Sequence, residues 1–164
     1  MERVRTLTHR LSLSAALVAL CVVGSFVKIP SPTGTVALDS LPGFFSALFL
    51  GYGEGALVAF LGHMLTSLNV GFPLGFPVHL LIALEMGGIA LLFRFVSTRS
   101  GVLAAVVSGV LANGVLAPLS LVPLFGWGFF FGILASLIVG SLVNIVLAVV
   151  LFRVVSGRWR GTAS

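Results

Sequence analysis

Three ionisable residues interrupt long apolar stretches of this sequence, and their chemistry is the first feature to explain. His63, His79 and Glu85 are surrounded mainly by Leu, Ile, Val, Phe and Ala. Histidine and glutamate exchange protons, form hydrogen bonds and bind cations. Such groups are costly in an apolar segment, so each is a candidate for a functional site. Pairing that merely fixes the packing of helices is the alternative explanation.

The spacing of these residues limits how they can converge. Glu85 lies nine residues into a helix predicted to begin near Phe76, or about 13 Å along it. His63 reaches a similar depth on the preceding helix, so Glu85 and His63 could form a hydrogen-bonded pair. His79 points about 120° away from Glu85 around their common helix, so both cannot point straight into one narrow pocket.

Five further polar or aromatic residues are candidates for binding a ligand near one side of the bundle. Lys28 and Asp39 bracket the first connection, where they could close over a ligand. Capping of a helix explains Asp39 equally well, and extension towards the interface explains Lys28. Asn69, Asn113 and Trp127 lie towards the same side, although Trp127 also suits the aromatic belt of a membrane protein.

The composition shows which elements must position these residues. Hydrophobic residues make up 59% of the 164 residues and charged residues 8%, with a mean hydropathy of +1.22. Soluble domains contain about 25% charged residues, so an ordinary water-soluble enzyme is excluded. Residues 55–84 and 101–152 contain no Asp, Glu, Lys or Arg, and each run exceeds the roughly 20 residues that span a bilayer. The alternation of a transmembrane β-strand is missing, so the spans are predicted to be helices.

The sequence predicts an all-α integral membrane protein, a single domain over residues 1–164 with six transmembrane helices. Gly, Pro and polar clusters separate helices at residues 11–27, 39–50, 55–68, 78–96, 102–117 and 128–155. The second is short for a membrane span, and a re-entrant segment is the alternative. The first resembles a secretory signal but is interpreted as a retained helix. The single Cys21 excludes an internal disulfide.

The distribution of positive charge predicts the orientation. Six spans place all arginines on one face and leave Lys28 on the other; these arginines are Arg3, Arg5, Arg10, Arg94, Arg99, Arg153, Arg158 and Arg160. The positive-inside rule assigns that face, with both termini, to the cytoplasmic side of a cell membrane that the chain crosses several times. The net charge of +5 therefore reflects topology rather than nucleic-acid binding. The outward connections, residues 28–38, 69–77 and 118–127, are long and proline-rich, so function is expected on the outer half.

Small residues and missing motifs complete the prediction. Small side chains recur every four residues from Gly101 to Ala117 and from Gly128 to Asn144, so these two helices should pack closely, with Asn144 bonding between helices. No phosphate-binding loop or zinc motif occurs in the sequence, and the histidines and acids have no recognised metal-binding spacing. We therefore predict no cofactor, no metal and no ATP hydrolysis. Uphill transport would need energy from another subunit.

Several segments resemble a known family. They are Val36-Ala-Leu-Asp-Ser-Leu-Pro-Gly-Phe-Phe45, Gly62-His-Met64 and Pro77-Val-His-Leu-Leu-Ile-Ala-Leu-Glu-Met86, together with the Ala15 and Ala19 pair on the first helix. With six spans in a chain of this length, they resemble the substrate-binding S components of energy-coupling factor (ECF) vitamin transporters. The resemblance covers residues 11–153.

The resemblance implies a high-affinity subunit, not an enzyme, that captures a vitamin or vitamin precursor from outside. It implies docking through Ala15 and Ala19 onto a membrane scaffold subunit driven by two cytoplasmic ATPases, with release inward by toppling. It also places Glu85, His79 and Asn113 where family ligands are held. The first loop lacks the aromatic residues of thiamine- and biotin-type members, and the resemblance extends to the cobalamin-precursor branch, with an α-ribazole-like ligand.

Two other functions fit the residues and remain alternatives. An intramembrane enzyme would use His63 and Glu85 as acid and base or as metal ligands. A small-solute channel or homo-oligomer would assemble on the small-residue stripes and conduct solute without partner subunits.

Overall fold

The computed structural model describes residues 6–29 and 36–161, with side chains described up to residue 157. Its elements are α1 (Leu7–Gly24), β1 (Lys28–Ile29), β2 (Val36–Ala37), α2 (Leu41–Phe49), α3 (Tyr52–Asn69), α4 (Phe76–Arg99), α5 (Val102–Leu111), a π-helical turn (Ala112–Leu116), α6 (Ala117–Ser120) and α7 (Val122–Gly161). The strands β1 and β2 form one short antiparallel pair, and all other elements are helical.

The helical fold class is confirmed, with one difference at the predicted connection 118–127. Most of this segment is helical in α6 and the start of α7. Pro118 lies in the first turn of α6, which directly continues the π-helical turn Ala112–Leu116, so this proline does not end the helix. Within α7 the backbone leaves helical geometry at Gly126, whose φ is +76°. The break that was expected at the prolines of this connection therefore occurs at Gly126.

Within the described part of the chain, four helices have the length and apolar composition to cross a membrane: Leu7–Gly24, Phe76–Arg99, Val102–Ser120 and Val122–Gly157. Helix α3 has the same length as α1, 18 residues, but carries more polar side chains. Helix α2 has nine residues, about 13 Å at ~1.5 Å per residue. It is therefore too short to span the hydrocarbon, which is about 30 Å thick.

Helix α2 is buried inside the bundle and lies close to its neighbours. Phe44 meets Phe93 of α4 edge to face, with ring centroids 5.2 Å apart. A Cβ atom added to Gly55 of α3 would lie 2.6 Å from the Cα atom of Ala47, so the backbones of α2 and α3 are nearly in contact. On α5, Gly109 likewise accommodates Ile145 of α7, as the small-residue pattern predicted. Gly128 and Gly132 face open space and take no part in this packing.

Arginines of α1 and α4 meet the carboxyl end of α2 at one end of the bundle. Arg10 forms an ion pair with Glu54 and donates to the carbonyl oxygen of Leu50 at 3.2 Å. Arg94 donates to the carbonyl oxygen of Leu48 at 3.0 Å. These contacts place the start of α1 and the end of α4 at the same face, called here the arginine end. Arg3, Arg5 and the side chains of Arg158 and Arg160 lie outside the described residues.

Candidate functional site

A cavity of about 350 Å³ lies towards the end of the bundle opposite the arginine end. This volume is within the range of small-molecule sites. Its polar lining comprises Ser25, Lys28, Asp39, Ser40, His63, Thr66, Ser67, His79, Asn113, Ser141 and Asn144. Its apolar wall includes Ile82, Met86, Leu121, Phe129, Ile133 and Leu137. The cavity therefore offers both hydrogen-bonding groups and apolar surface.

Five of the eight residues predicted to bind a ligand line this cavity: Lys28, Asp39, His63, His79 and Asn113. Helical spacing explains why His63 is joined there by Thr66 and Ser67, because residues three and four apart share a face of α3. His79 lies in the first turn of α4, after Gly75 has turned the chain with a φ of +85°. The connection between α3 and α4 thus brings the two histidines together.

The two histidines form a hydrogen-bonded cluster with Ser67. The Nε2 atom of His63 is 3.2 Å from Nδ1 of His79. The Oγ atom of Ser67 lies 3.2 Å from the first nitrogen and 2.9 Å from the second. The backbone N–H of Leu74, in the connection between α3 and α4, donates to Nε2 of His79 at 3.4 Å. The hydrogen-bonded pair expected between His63 and Glu85 is therefore replaced by a pair of histidines.

Asp39 lies between β2 and α2 and faces the cavity. Burial is the main cause that raises its pKa to about 6, and a hydrogen bond with Thr66 opposes the shift. Ser40, the residue before α2, makes no side-chain bond to the helix. The Oδ1 atom of Asn144 instead accepts from the Leu41 N–H at 2.8 Å.

The Asn144 side chain joins α7 to the first connection and the start of α2 by hydrogen bonds. The sequence predicted such a bond between helices for this residue. Besides accepting from Leu41, its Nδ2 group donates to the carbonyl oxygens of Ala37 at 2.9 Å and Gly140 at 2.8 Å. The side chain is 1% exposed, so these bonds are formed away from solvent. Asn144 therefore determines where β2 and the start of α2 lie over the cavity.

Asn113 is presented to the cavity by the π-helical turn. Its Nδ2 group donates to the Oγ atom of Ser141 on α7 at 2.9 Å. A π-helical turn inserts an extra residue into a helix and is frequent at functional sites. Thr66, Ser67 and Ser141 were missed by the sequence reasoning. Only their helical spacing from His63 and Asn144 could have indicated them, because serine and threonine are common in helices of all kinds.

Glu85, Asn69 and Trp127 lie outside the cavity, contrary to the sequence expectation. Glu85 faces a shallow groove beside Gly88 and Leu116, because it lies on a different side of α4 from His79. Its Oε2 atom is buried and has no hydrogen-bond partner among the described residues. Asn69 is exposed at the end of α3. Trp127 is 57% exposed and stacks on Phe131, as a residue of an aromatic belt would.

The predicted docking residues Ala15 and Ala19 are both exposed on α1. The side of α1 that faces the bundle carries Ser14, Val18 and Cys21, which are buried. The alanines thus leave a shallow surface open to a partner. Among residues 6–29 and 36–161, no three His, Cys, Asp or Glu side chains converge to hold a metal ion.

The apolar helices around this cavity define a class, a multi-pass membrane protein that encloses a cavity of small-molecule size. A sequence profile described as "ECF transporter, substrate-specific component" matches residues 9–156. The chain belongs to this family of substrate-binding transporter subunits, which are not enzymes.

A structural comparison supports the family assignment at the level of the fold. The fold is similar to a solved structure described as "Structure and mechanism of the S component of a bacterial ECF transporter", with a TM-score of 0.67 and 17% identity. The match covers 97% of this chain and 99% of that chain. A search of curated proteins finds no match to this sequence. The family profile and the structural match together confirm the resemblance to ECF S components seen in the sequence.

Proposed function

We propose that this chain is the high-affinity binding subunit of an ECF importer that captures a vitamin or vitamin precursor from outside the cell. The observation that carries the proposal is the cavity, mainly apolar with several polar side chains, at the end opposite the arginines. The positive-inside rule assigns the arginine end to the cytoplasm of a prokaryotic cell, so the cavity belongs to the outer half. His63, His79, Asp39, Lys28 and Asn113 are its proposed ligand contacts.

The lining favours a small compound with an apolar body and polar substituents. Phe129, Ile133 and Leu137 of α7 form an apolar wall. His63, Ser67 and Asn113 provide hydrogen-bonding groups in the same cavity, which can fix the orientation of a bound compound. A heterocycle carrying hydroxyl groups, such as an α-ribazole-like cobalamin precursor, combines an apolar body with polar substituents in this way.

Delivery inward requires partner subunits. ECF S components work with a membrane scaffold subunit and ATPases. We assign scaffold docking to Ala15 and Ala19, because small exposed side chains allow another helix to approach closely. Toppling of the subunit on the scaffold, driven by two cytoplasmic ATPases, would release the compound. The coupling works because the docked state binds the compound less tightly than the free state.

The first experiment identifies what the purified subunit retains. We expect mass spectrometry of the isolated protein to find a bound small molecule, and calorimetry with that compound to give a submicromolar Kd. Replacing His63→Ala should weaken binding by about tenfold or more, since a ligand hydrogen bond is lost and its partner is left unpaired. Glu85→Gln is the control, because Glu85 lies outside the cavity. Unchanged binding in His63→Ala, or loss of binding in the control alone, would contradict the assigned site.

The docking assignment is tested separately. Ala15→Trp and Ala19→Trp should abolish copurification with the scaffold subunit and leave the bound compound in place. Leu20→Trp is the matched control, because Leu20 is also exposed on α1 but points about 140° away from Ala15 and about 100° away from Ala19. Copurification that survives both tryptophans would place the scaffold on another face.

A further inference from the structure

We infer that Nδ1–H of His63 is a fixed hydrogen-bond donor to the ligand, held in that state by a relay that begins in the connection between α3 and α4. The inference rests on the proposed function for its ligand and on the cluster of His63, Ser67 and His79 for its geometry. The chemical class it assigns is an amphipathic compound that presents a hydrogen-bond acceptor, such as an unprotonated ring nitrogen or a carbonyl oxygen.

The relay begins at the backbone N–H of Leu74. This group donates to Nε2 of His79 at 3.4 Å, so that nitrogen acts as an acceptor and carries no proton. A neutral imidazole with a bare Nε2 carries its proton on Nδ1. The connection between α3 and α4 thereby selects the tautomer of His79.

The next step passes through Ser67. Nδ1–H of His79 donates to the Oγ atom of Ser67 at 2.9 Å. The hydroxyl of Ser67 can then donate to Nε2 of His63, 3.2 Å away. The direct contact between Nδ1 of His79 and Nε2 of His63 at 3.2 Å fits the same assignment, with Nδ1–H as the donor. Two N–H groups cannot face each other across the direct contact, so Nε2 of His63 is the acceptor there and His63 carries its proton on Nδ1.

The remaining nitrogen of His63 is available to a ligand. His63 lines the cavity, and its Nδ1 atom has no hydrogen-bond partner among the described residues. It is also not one of the buried side-chain atoms left unpaired in the described part of the chain. A bound compound must therefore offer an acceptor at this point to satisfy the donor, while the α7 wall receives its apolar body.

Through the relay, the connection between α3 and α4 takes part in ligand recognition. If the Leu74 N–H moves away, Nε2 of His79 loses the donor that keeps it bare, and His79 can adopt the other tautomer. Nδ1 of His79 then no longer donates to Ser67, and His63 no longer has to keep its proton on Nδ1. Opening of the connection thus removes the donor that holds the ligand.

Nitrogen-15 NMR of the histidine side chains tests the relay without a known ligand. The chain has three histidines, and the exposed His9 serves as an internal reference. In the histidine-labelled protein in nanodiscs, we expect His63 and His79 both to show a protonated Nδ1 and a bare Nε2. A protonated Nε2 on His63 would overturn the inference and leave the proposed function intact.

Variants show whether the cluster causes this state. The double variant Ser67→Ala, His79→Phe removes both donors to Nε2 of His63, so His63 should gain a substantial Nε2–H population. Ser108→Ala is the control, because the Ser108 hydroxyl donates to a carbonyl of its own helix, α5. An Nδ1–H signal of His63 that persists unchanged in the double variant would overturn the relay.

Two matched bicyclic compounds test the ligand class. Quinoline and naphthalene have the same shape, but only quinoline has a ring-nitrogen acceptor. We expect quinoline to shift the His63 Nδ1–H resonance and to bind about 2- to 10-fold more tightly than naphthalene, the range that one net hydrogen bond provides. Equal affinity without a shift would overturn the donor role of His63. Failure of the protein to retain any solute would instead overturn the proposed function, with the tautomers unaffected.

Discussion

Asn144 shows how one amide can organise the residues around a cavity. The residue bonds to the N–H of Leu41 and to the carbonyls of Ala37 and Gly140, and it is fully enclosed. A buried polar side chain with all its bonds formed adds specificity, whereas a partly satisfied one is costly. The amide therefore performs for α2 the capping role that Asp39 or Ser40 was expected to perform.

We predict that Asn144→Leu destabilises the protein. The change leaves the Leu41 N–H and the Ala37 carbonyl unpaired inside the bundle, at a cost of about 1–3 kcal/mol for each group. Thermal unfolding of the detergent-solubilised protein measures this loss. Asn69→Leu is the matched control, since Asn69 is exposed. Equal melting temperatures for the two variants would show that the Asn144 bonds contribute no net stability.

Asp39 predicts a pH dependence of stability. Its pKa in the folded protein is about 6, above the ordinary value of 3.8, so the folded state binds the proton more tightly than the unfolded state. Stability from this group is therefore full below about pH 4 and is lost as the pH rises to about 6. Relative to Asp39→Asn, the melting temperature of the wild type should fall over this interval. Parallel pH profiles for the two proteins would contradict the raised pKa.

The types of the polar residues were easier to predict from the sequence than their partners. His63 and His79 stand out because lipid tolerates few ionisable groups, and both line the cavity. The sequence did not reveal that they pair with each other, because the pairing depends on how the connection between α3 and α4 folds. Glu85 stood out for the same reason but faces a groove, since depth along a helix does not determine direction around it.

At the scale of elements, the contact between α2 and α3 depends on glycine. Gly55 lies where a Cβ atom would be 2.6 Å from the Ala47 Cα atom and 2.7 Å from its Cβ atom. No flexible side-chain end is available to move aside there. The short helix α2 is therefore fixed against α3 by backbone packing.

We predict that Gly55→Ala destabilises the bundle. Alanine favours a helix over glycine by about 1 kcal/mol, but overpacking of a close contact costs about 1–3 kcal/mol and usually more than offsets that gain. Gly53→Ala is the matched control on the same helix, because its added Cβ would meet nothing within 4 Å. Thermal unfolding should rank the control above the wild type and Gly55→Ala below it. Stabilisation by both changes would contradict the close contact.

The positions of the helices were largely predictable, and their interruptions were less so. Runs without charge gave the long spans, because a bilayer sets their length. The helical segment after Pro118 was missed, since proline can begin a helix as well as end one. The π-helical turn Ala112–Leu116 has no distinctive composition, because it depends on the packing of α5 against α7.

For the whole molecule, the two ends have different chemistry. The arginine end joins α1, α2, α3 and α4 through Arg10, Glu54 and Arg94. The other end contains the cavity and the connections that cover it. Large apolar side chains such as Leu103, 79% exposed, and Phe131, 66% exposed, cover the surface between the ends, as contact with lipid requires.

We predict that the arginine end faces the cytoplasm. In a Cys21→Ala background, Thr98→Cys should react with a membrane-impermeant thiol reagent only after the cells are opened. Leu74→Cys should react in intact cells, because it lies in a connection at the cavity end. The reverse pattern would invert the orientation and place the cavity on the inside.

Helix α2 has only nine residues, but it is hydrogen-bonded to side chains at both ends of the bundle. Its first N–H is held by Asn144 beside the cavity, and carbonyls at or just beyond its last turn are held by Arg94 and Arg10. A rod of two to three turns has almost no freedom to bend along its length. A displacement of the first turn of α2 beside the cavity would therefore also displace its last turn at the arginine end. Rigid-body movement of this one short helix would couple the two ends without a shift of any long helix.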